Sequence, residues 1–292
     1  MAVATAAAAP PSAEISARRT TAREVAGKAG WTVLAWIVGI IFFFPVLWMF
    51  LTSFKQESDA YTTSPHFVFS PTFDQYRAVL SRGIVPYFAN SVLATVLSTL
   101  IVLALATPAA YALSIRPVKR WTDVLFFFIS TKMLPIVAAI VPIFIAARDI
   151  GGLDNIATLI VLYSAMNMPI AVWMMRSFLL EIPREMLEAA RIDGAGLRQE
   201  ITEVMAPVVA PGLAATALIC VIFSWNEFFF ALNLTATRAS TMPVFLVGFI
   251  TSEGLFWARL AAAATLASIP VLLAGWLAQK QLVRGLSMGA IK

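Results

Sequence analysis

The chain is 292 residues long, 60% hydrophobic and only 13% charged, against about 25% charged residues in an average soluble domain. Its apolar residues come in blocks long enough to cross a bilayer, which excludes an ordinary soluble domain and predicts an all-α, polytopic membrane protein. The net charge of +5 sits in basic clusters beside those blocks, a pattern that membrane orientation explains and a nucleic-acid partner does not.

Residues 1–29 are rich in Ala, Ser, Thr and Arg, with Pro10 and Pro11, the composition of a disordered tail. They do not read as a signal peptide, because the apolar segment behind them is long enough to span and no small-residue cleavage site follows it. Six spans come next: Trp31 to Leu51, about Tyr87 to Ile115, Trp121 to Ala147, Asn155 to Met175, about Val204 to Leu232, and Leu260 to Gln279. Lys132 and Pro135 interrupt the third, and Asn226 and Glu227 lie in the fifth. One six-helix transmembrane domain over residues 30–284 is expected, followed by a short tail at 285–292. Cys220 falls in an apolar run and His66 in a loop, so neither a cysteine-based metal site nor a Ser-His or Cys-His nucleophile system is expected. No catalytic residue and no metal ligand is assigned.

Basic residues set the orientation. With the amino terminus inside, Arg18, Arg19, Arg23 and Lys28, then Arg116, Lys119 and Arg120, then Arg176, Arg184, Arg191 and Arg198, then Lys280, Arg284 and Lys292 all lie on the inner side. Fewer fall outside, so both termini are expected in the cytoplasm. Two outer loops have substance, at 52–86 and 233–259. The stretch 243–250 is too apolar for a free loop; it dips into the membrane edge, touches a partner, or packs on its own bundle.

The polar segment between the fourth and fifth spans, about 181–203, is too dense in charge for hydrocarbon. Pro183 suits a helix start, Arg184 to Ile192 are mostly good helix formers, and Gly194 permits a stop. Arg184, Glu188 and Arg191 share one face, with Met186, Leu187 and Ala190 displaced toward the other. Such a helix either docks in a partner's groove or packs on its own chain.

Glu188-Ala189-Ala190, Asp193-Gly194-Ala195 and Pro207 resemble the EAA motif of importer-type ABC transporter permeases. Val204 stands where that motif prefers isoleucine, and Ala206-Pro207 replaces its usual Leu-Pro. Asn167-Met168-Pro169, Arg176-Ser177-Phe178, Ile182-Pro183 and Trp225-Asn226-Glu227-Phe228 resemble the carbohydrate-uptake branch. The ending Arg284 to Lys292 is similar to that of the second permease of maltose-type systems. Ser130 to Pro135 looks most like permeases for sugar alcohols and related sugars.

The resemblance implies a type I ABC importer permease fold in a bacterial cytoplasmic (inner) membrane. It further implies a second permease subunit, an ATPase dimer, an extracytoplasmic solute-binding protein facing loop 233–259, and a sugar or polyol substrate. Glu188, Ala189, Ala190, Asp193 and Gly194 would couple to the ATPase. Gly285, Ser287, Met288 and Gly289 would reach toward the ATPase dimer interface. The chain has no glycine-rich loop ending in Gly-Lys-Ser/Thr, since Gly27-Lys28 lacks both the earlier glycine and the following hydroxyl. No cofactor is therefore expected on this chain, and ATP and Mg belong to the partner ATPase subunits.

Lys132 and Glu227 each cost roughly 2.5–3.5 kcal/mol at mid-bilayer on insertion scales, so each should face the bundle or a wet cavity. Two readings stand. With Asn167, Trp225 and Asn226 they line the path of a polyol, or they fix helix packing through snorkelling, mutual pairing or neighbouring polar groups. The rivals are an ion-coupled secondary transporter using these two charges, an ABC permease for a non-sugar solute, and an intramembrane enzyme, which lacks a His partner or metal cluster here.

Overall fold

A computed structural model describes the backbone of residues 22–62, 67–115, 118–251 and 254–288, and the side chains of the same residues except 22–29, 251 and 280–288. The chain divides into two compact units at Trp48. The first holds most of helix α1 (Ala22–Thr52), whose bulky side chains Trp31, Trp36, Phe42 and Phe43 are all well exposed. Helix α1 begins at Ala22, so residues 22–29, expected in the tail, are helical. Apart from Gly27, that stretch carries no helix breaker before the apolar span, and the helix continues through it.

The second unit is built on four long helices: α4 (Ile84–Ser114), α7 (Ile156–Leu180), α10 (Ala206–Trp225) and α13 (Trp257–Met288). Helix α4 buries Ser91, Ala94, Thr95, Ser98, Thr99, Val102, Ala106 and Ala110. These recur at three- and four-residue spacing, so one narrow face lets backbones approach closely. Against it α7 buries Leu159, Tyr163, Asn167, Ala171, Val172 and Met175. Helix α10 packs on α4, α7 and α13. At Gly212 it lies so near α7 that an added Cβ would run into the ring of Phe178.

The third expected span is not one helix. Helices α5 (Trp121–Lys132) and α6 (Ile136–Asp149) meet at 91°. Pro135 supplies no N–H and disfavours a helical residue before it, so the helix stops at Lys132 and restarts after the proline. The pair still makes one crossing. Trp121 lies under Arg176 at one end of the bundle, with 4.5 Å from guanidinium to ring, while the chain leaves α6 for Asp154 at the other end. Among the described residues five helices are long and apolar enough to span, and counting the bent pair as one span makes six.

The fifth expected span also ends early. Helix α10 stops at Trp225, and after a break at 226–228 the short α11 (Phe229–Leu234) follows. A π-helical stretch, Glu200–Met205, leads into α10. Helix α13 runs on beyond the sixth span through Gly285, Ser287 and Met288 of the expected tail, while Gly289 lies outside the described residues.

At the Asp154 end sit the small elements α2 (Glu57–Ala60), α3 (Asp74–Ser81), α12 (Met242–Val247) and an antiparallel pair of strands, β1 (Ile250–Thr251) and β2 (Gly254–Leu255). At the Glu188 end are α8 (Arg184–Ile192) and the single turn α9 (Leu197–Gln199).

Candidate functional sites in the Glu188 loop and the bundle interior

The geometry of the Glu188 loop follows from one glycine. Helix α8 ends with Gly194 at φ +85°, Gly194 N–H bonded to Arg191 C=O at 3.1 Å and Ala195 N–H bonded to Ala190 C=O at 2.9 Å. This is a Schellman closure, and its left-handed residue is one that side chains disfavour. The Gly196 N–H then bonds the Gln199 side chain at 3.1 Å. Leu187 anchors α8 in a cluster with Met175, Leu179, Ile182, Met205 and Val209. Glu188, Ala189, Asp193 and Gly194 are exposed on the opposite side, and Ala190 is half-buried. Ile192 is 85% exposed, an apolar side chain left open by the described residues. The loop is thus both held on its own bundle, through Leu187, and presented outward.

Charges in this loop pair with the bundle as well. Arg191 grips Glu200, and the hydroxyl of Tyr111 on α4 also donates to that carboxylate. Arg176, in the last turns of α7, donates to Leu113 C=O at 3.2 Å.

In the interior the candidate path residues separate into two groups. Asn167 is fully buried; its Nδ2 donates to Tyr163 C=O at 3.0 Å and to Ser224 Oγ at 2.9 Å, and Ser224 Oγ lies 3.2 Å from Ser98 Oγ. This chain of polar atoms ties α4, α7 and α10 together. Trp225 is buried edge-on against Phe88, its indole N–H donating to Ala267 C=O at 3.1 Å. Glu227 is buried too, and its carboxylate accepts from Phe230 N–H at 2.8 Å and Ala231 N–H at 3.3 Å. It occupies the positive end of α11, where such a charge is stabilised.

Lys132 and Asn226 are exposed. The Lys132 ammonium lies 5.7 Å from the ring centre of Phe223, itself 40% exposed, and Asn226 follows Phe223 by about one helical turn, its Nδ2 bonded to Ile222 C=O at 2.8 Å. A cation and an aromatic face therefore meet where α5 breaks, with an amide about one turn further along at the end of α10. Phe223 carried no signal in the sequence beyond being one of many apolar residues in a span.

At the other end Asp154, at φ +52°, gathers the loop after α11. Its carboxylate accepts the N–H groups of Ala236, Thr237, Arg238 and Ala239 and the Thr237 hydroxyl, all within 3.0–3.3 Å. Burial raises its pKa, but the four backbone donors outweigh burial and hold the carboxyl well below its ordinary range. Asn90 donates to Arg238 C=O and Ser240 C=O from the opposite side, and Ser91 Oγ accepts from Met242 N–H at 2.8 Å. Arg82 donates to Gly248 C=O at 2.7 Å, and Glu57 accepts the N–H groups of Ala258 and Arg259 at the start of α13. Of the three readings of the apolar stretch at 243–250, packing on its own bundle holds: Met242, Phe245 and Phe249 are buried with Val79, Ile84, Trp225 and Ala262. A carboxylate one residue before a helix N-cap gave no hint in the sequence that it would gather a loop more than 80 residues away.

Comparison with known proteins agrees with this arrangement. Residues 83–288 match the family described as binding-protein-dependent transport system inner membrane component. A probable ABC transporter permease of Sinorhizobium fredii is 37% identical over 91% of this chain and 96% of its own length. The trehalose/maltose transport system permease of Thermococcus litoralis is 32% identical over 88% of this chain and 94% of its own length. The crystal structure of a bacterial ABC transporter involved in the import of the acidic polysaccharide alginate contains a chain of the same fold, with a TM-score of 0.70, 26% identity, and coverage of 89% of this chain and 98% of that one.

Proposed function

The chain belongs to the binding-protein-dependent transport system inner membrane components, and from that membership we propose that it is the second permease of an ATP-driven carbohydrate importer, taking a sugar or polyol. The observation that carries this is the Schellman-closed α8, anchored by Leu187 and exposing Glu188, Ala189, Asp193 and Gly194 on its free side. A helix presented in this way fits a cleft on another protein. That protein is an ATPase dimer in the cytoplasm, which binds the ATP and Mg. A second permease completes the translocation path, and an extracytoplasmic solute-binding protein delivers the solute at the Asp154 end. Both chain termini then lie in the cytoplasm, and the α13 extension through Gly285, Ser287 and Met288 points toward the ATPase subunits.

Closure of the ATPase dimer pushes α8, and the long helices swing between inward- and outward-open states. The side chains best placed to meet solute are Lys132, Phe223 and Asn226, whose ammonium, ring face and amide suit a polyhydroxy compound. Asn167, Trp225 and Glu227 act by holding the helices around that path. Glu227 is committed to the N-terminus of α11, which speaks against its serving as a coupling charge in an ion-driven transporter.

The test is co-purification of the tagged chain from native membranes with identification of its companions by mass spectrometry. An ATPase, a second permease and a solute-binding protein are expected, and the binding protein is then screened against sugars, polyols, amino acids and phosphate esters. Recovery of the chain alone, still active in uptake and insensitive to ATP depletion, refutes the reading.

A further inference from the structure

The Glu188 loop contains a second device, made by residues that the resemblance did not single out. Arg191, in the last turn of α8, places Nε 2.9 Å from Glu200 Oε2 and Nη2 2.8 Å from Glu200 Oε1, a bidentate pair that fixes direction as well as distance. The Glu200 side chain is 1% exposed and that of Arg191 41%. The hydroxyl of Tyr111, in the last turn of α4, donates to Glu200 Oε1 at 3.2 Å. Glu200 is itself the first residue of the π-helical stretch that runs without a break into α10. One buried carboxylate thus joins α8, the inner end of α4 and the root of α10.

Stability alone is a poor account of it. Only the Glu200 end of the pair is buried, ion pairs with a solvent-exposed member contribute little, and an apolar contact is already in place, since Leu187, Met205, Leu179 and Val209 share one cluster here. Such a contact resists separation but not sliding. The forked pair resists sliding and rotation, and π-helical turns of this kind are frequent at functional positions.

Resting on the reading of α8 as the helix that docks on the ATPase, we infer that Arg191, Glu200 and Tyr111 are the positioning residues that transmit displacement of α8 into α10 and α4. They touch neither solute nor nucleotide. Without the fork, α8 still docks and still moves, but it slides on the Leu187 cluster and the long helices do not follow.

The experiment uses the whole complex, purified with its ATPase subunits in lipid nanodiscs, with hydrogen exchange read by mass spectrometry with and without ATP and vanadate. In the native complex, trapping is expected to change exchange both in 184–192 and in 200–225 and 105–114. In Glu200→Gln and Arg191→Ala the change in 184–192 persists, while that in 206–225 falls roughly tenfold, within the range by which residues linking two sites modulate coupling. Arg191→Lys, with one donor group in place of the fork, recovers part of it. Tyr111→Phe, which keeps the ring and removes one hydroxyl, reduces the change in 105–114 and leaves yield and melting temperature unaltered.

The link is overturned if trapping still changes 206–225 by the native amount in Glu200→Gln and Arg191→Ala. It is equally overturned if yield, melting temperature and the response at 184–192 fall together in every variant, Tyr111→Phe included, because that is the behaviour of a structural prop. A native complex without any nucleotide-dependent change at 184–192 would instead defeat the docking reading, and this link with it.

Discussion

Gly194 sits at φ +85° with open space around the position where a Cβ would be. A substitution there meets no steric obstacle within this chain, only the conformational cost of a left-handed residue, about 1–2 kcal/mol for most side chains. Asparagine visits that region readily, so Gly194→Asn is expected to leave the melting temperature of the detergent-purified chain nearly unchanged. If α8 docks as proposed, the same variant loses retained ATPase, because the added side chain occupies the partner's cleft, and Gly194→Asp inserts into the membrane but does not couple hydrolysis to uptake. Retention of the ATPase at the native level in both variants would detach Gly194 from docking. Asp154 makes the complementary case. Removing its carboxylate in Asp154→Ala leaves four backbone N–H groups without their acceptor, and hydrogen bonds to a charged group are worth roughly 1.5–3 kcal/mol. Exchange at residues 236–239 should accelerate by about 10- to 100-fold. Because folding lowers this carboxyl's pKa below its ordinary value of 3.8, its stabilisation is complete above that value and fades only as pH falls below it. Exchange protection of the loop is therefore expected to stay level from pH 8 to about pH 5, and a loss within that interval would mean another group carries it.

At the level of elements, the close approach of α10 to α7 depends on Gly212, whose missing side chain makes room for Phe178. Gly212→Val is expected to force the two helices apart at a cost of about 1–3 kcal/mol, read as a lower melting temperature in detergent, and Phe178→Ala in the same chain should recover most of it. If the double variant melts no higher than Gly212→Val alone, the two residues are not the point of contact. The helices themselves were legible in the sequence because an 18-residue apolar run has few other fates in a membrane protein. Their interruptions were less so. Pro135 marked a fault in the third span, but nothing local set its angle at 91°, which depends on α5 packing against α7 while α6 packs against α11. The fifth span was read past Trp225 because Phe228, Phe229 and Phe230 continue the apolar run; the break at 226–228 arises where Glu227 turns back to cap α11.

For the whole molecule, the two ends of the bundle are chemically distinct. One collects the anchors made by Asp154, Asn90 and Glu57, the other the Arg191–Glu200 pair and the exposed face of α8. If the orientation is as proposed, a membrane-impermeant maleimide labels Ala236→Cys in intact cells, while Ile192→Cys reacts only after permeabilisation. Both positions are exposed, and the native Cys220 is fully buried and contributes little background. Labelling of Ile192→Cys from outside would invert the topology and remove α8 from the ATPase side.

The sequence by itself determined what depends on neighbours along the chain: the apolar blocks that must be spans, and the helix that Gly194 stops, with its motif. Local propensity and the cost of burying charge suffice for those. What only the tertiary structure decided is which polar groups face each other across the bundle. Lys132 and Glu227 invited pairing as two charges in hydrocarbon, yet one lies over Phe223 and the other caps α11, while Asp154 and Glu200, unremarkable in sequence, each bind partners from other elements. A buried charge has to be satisfied by some donor or counter-charge, but which one answers is set by the packing of helices far apart in the chain.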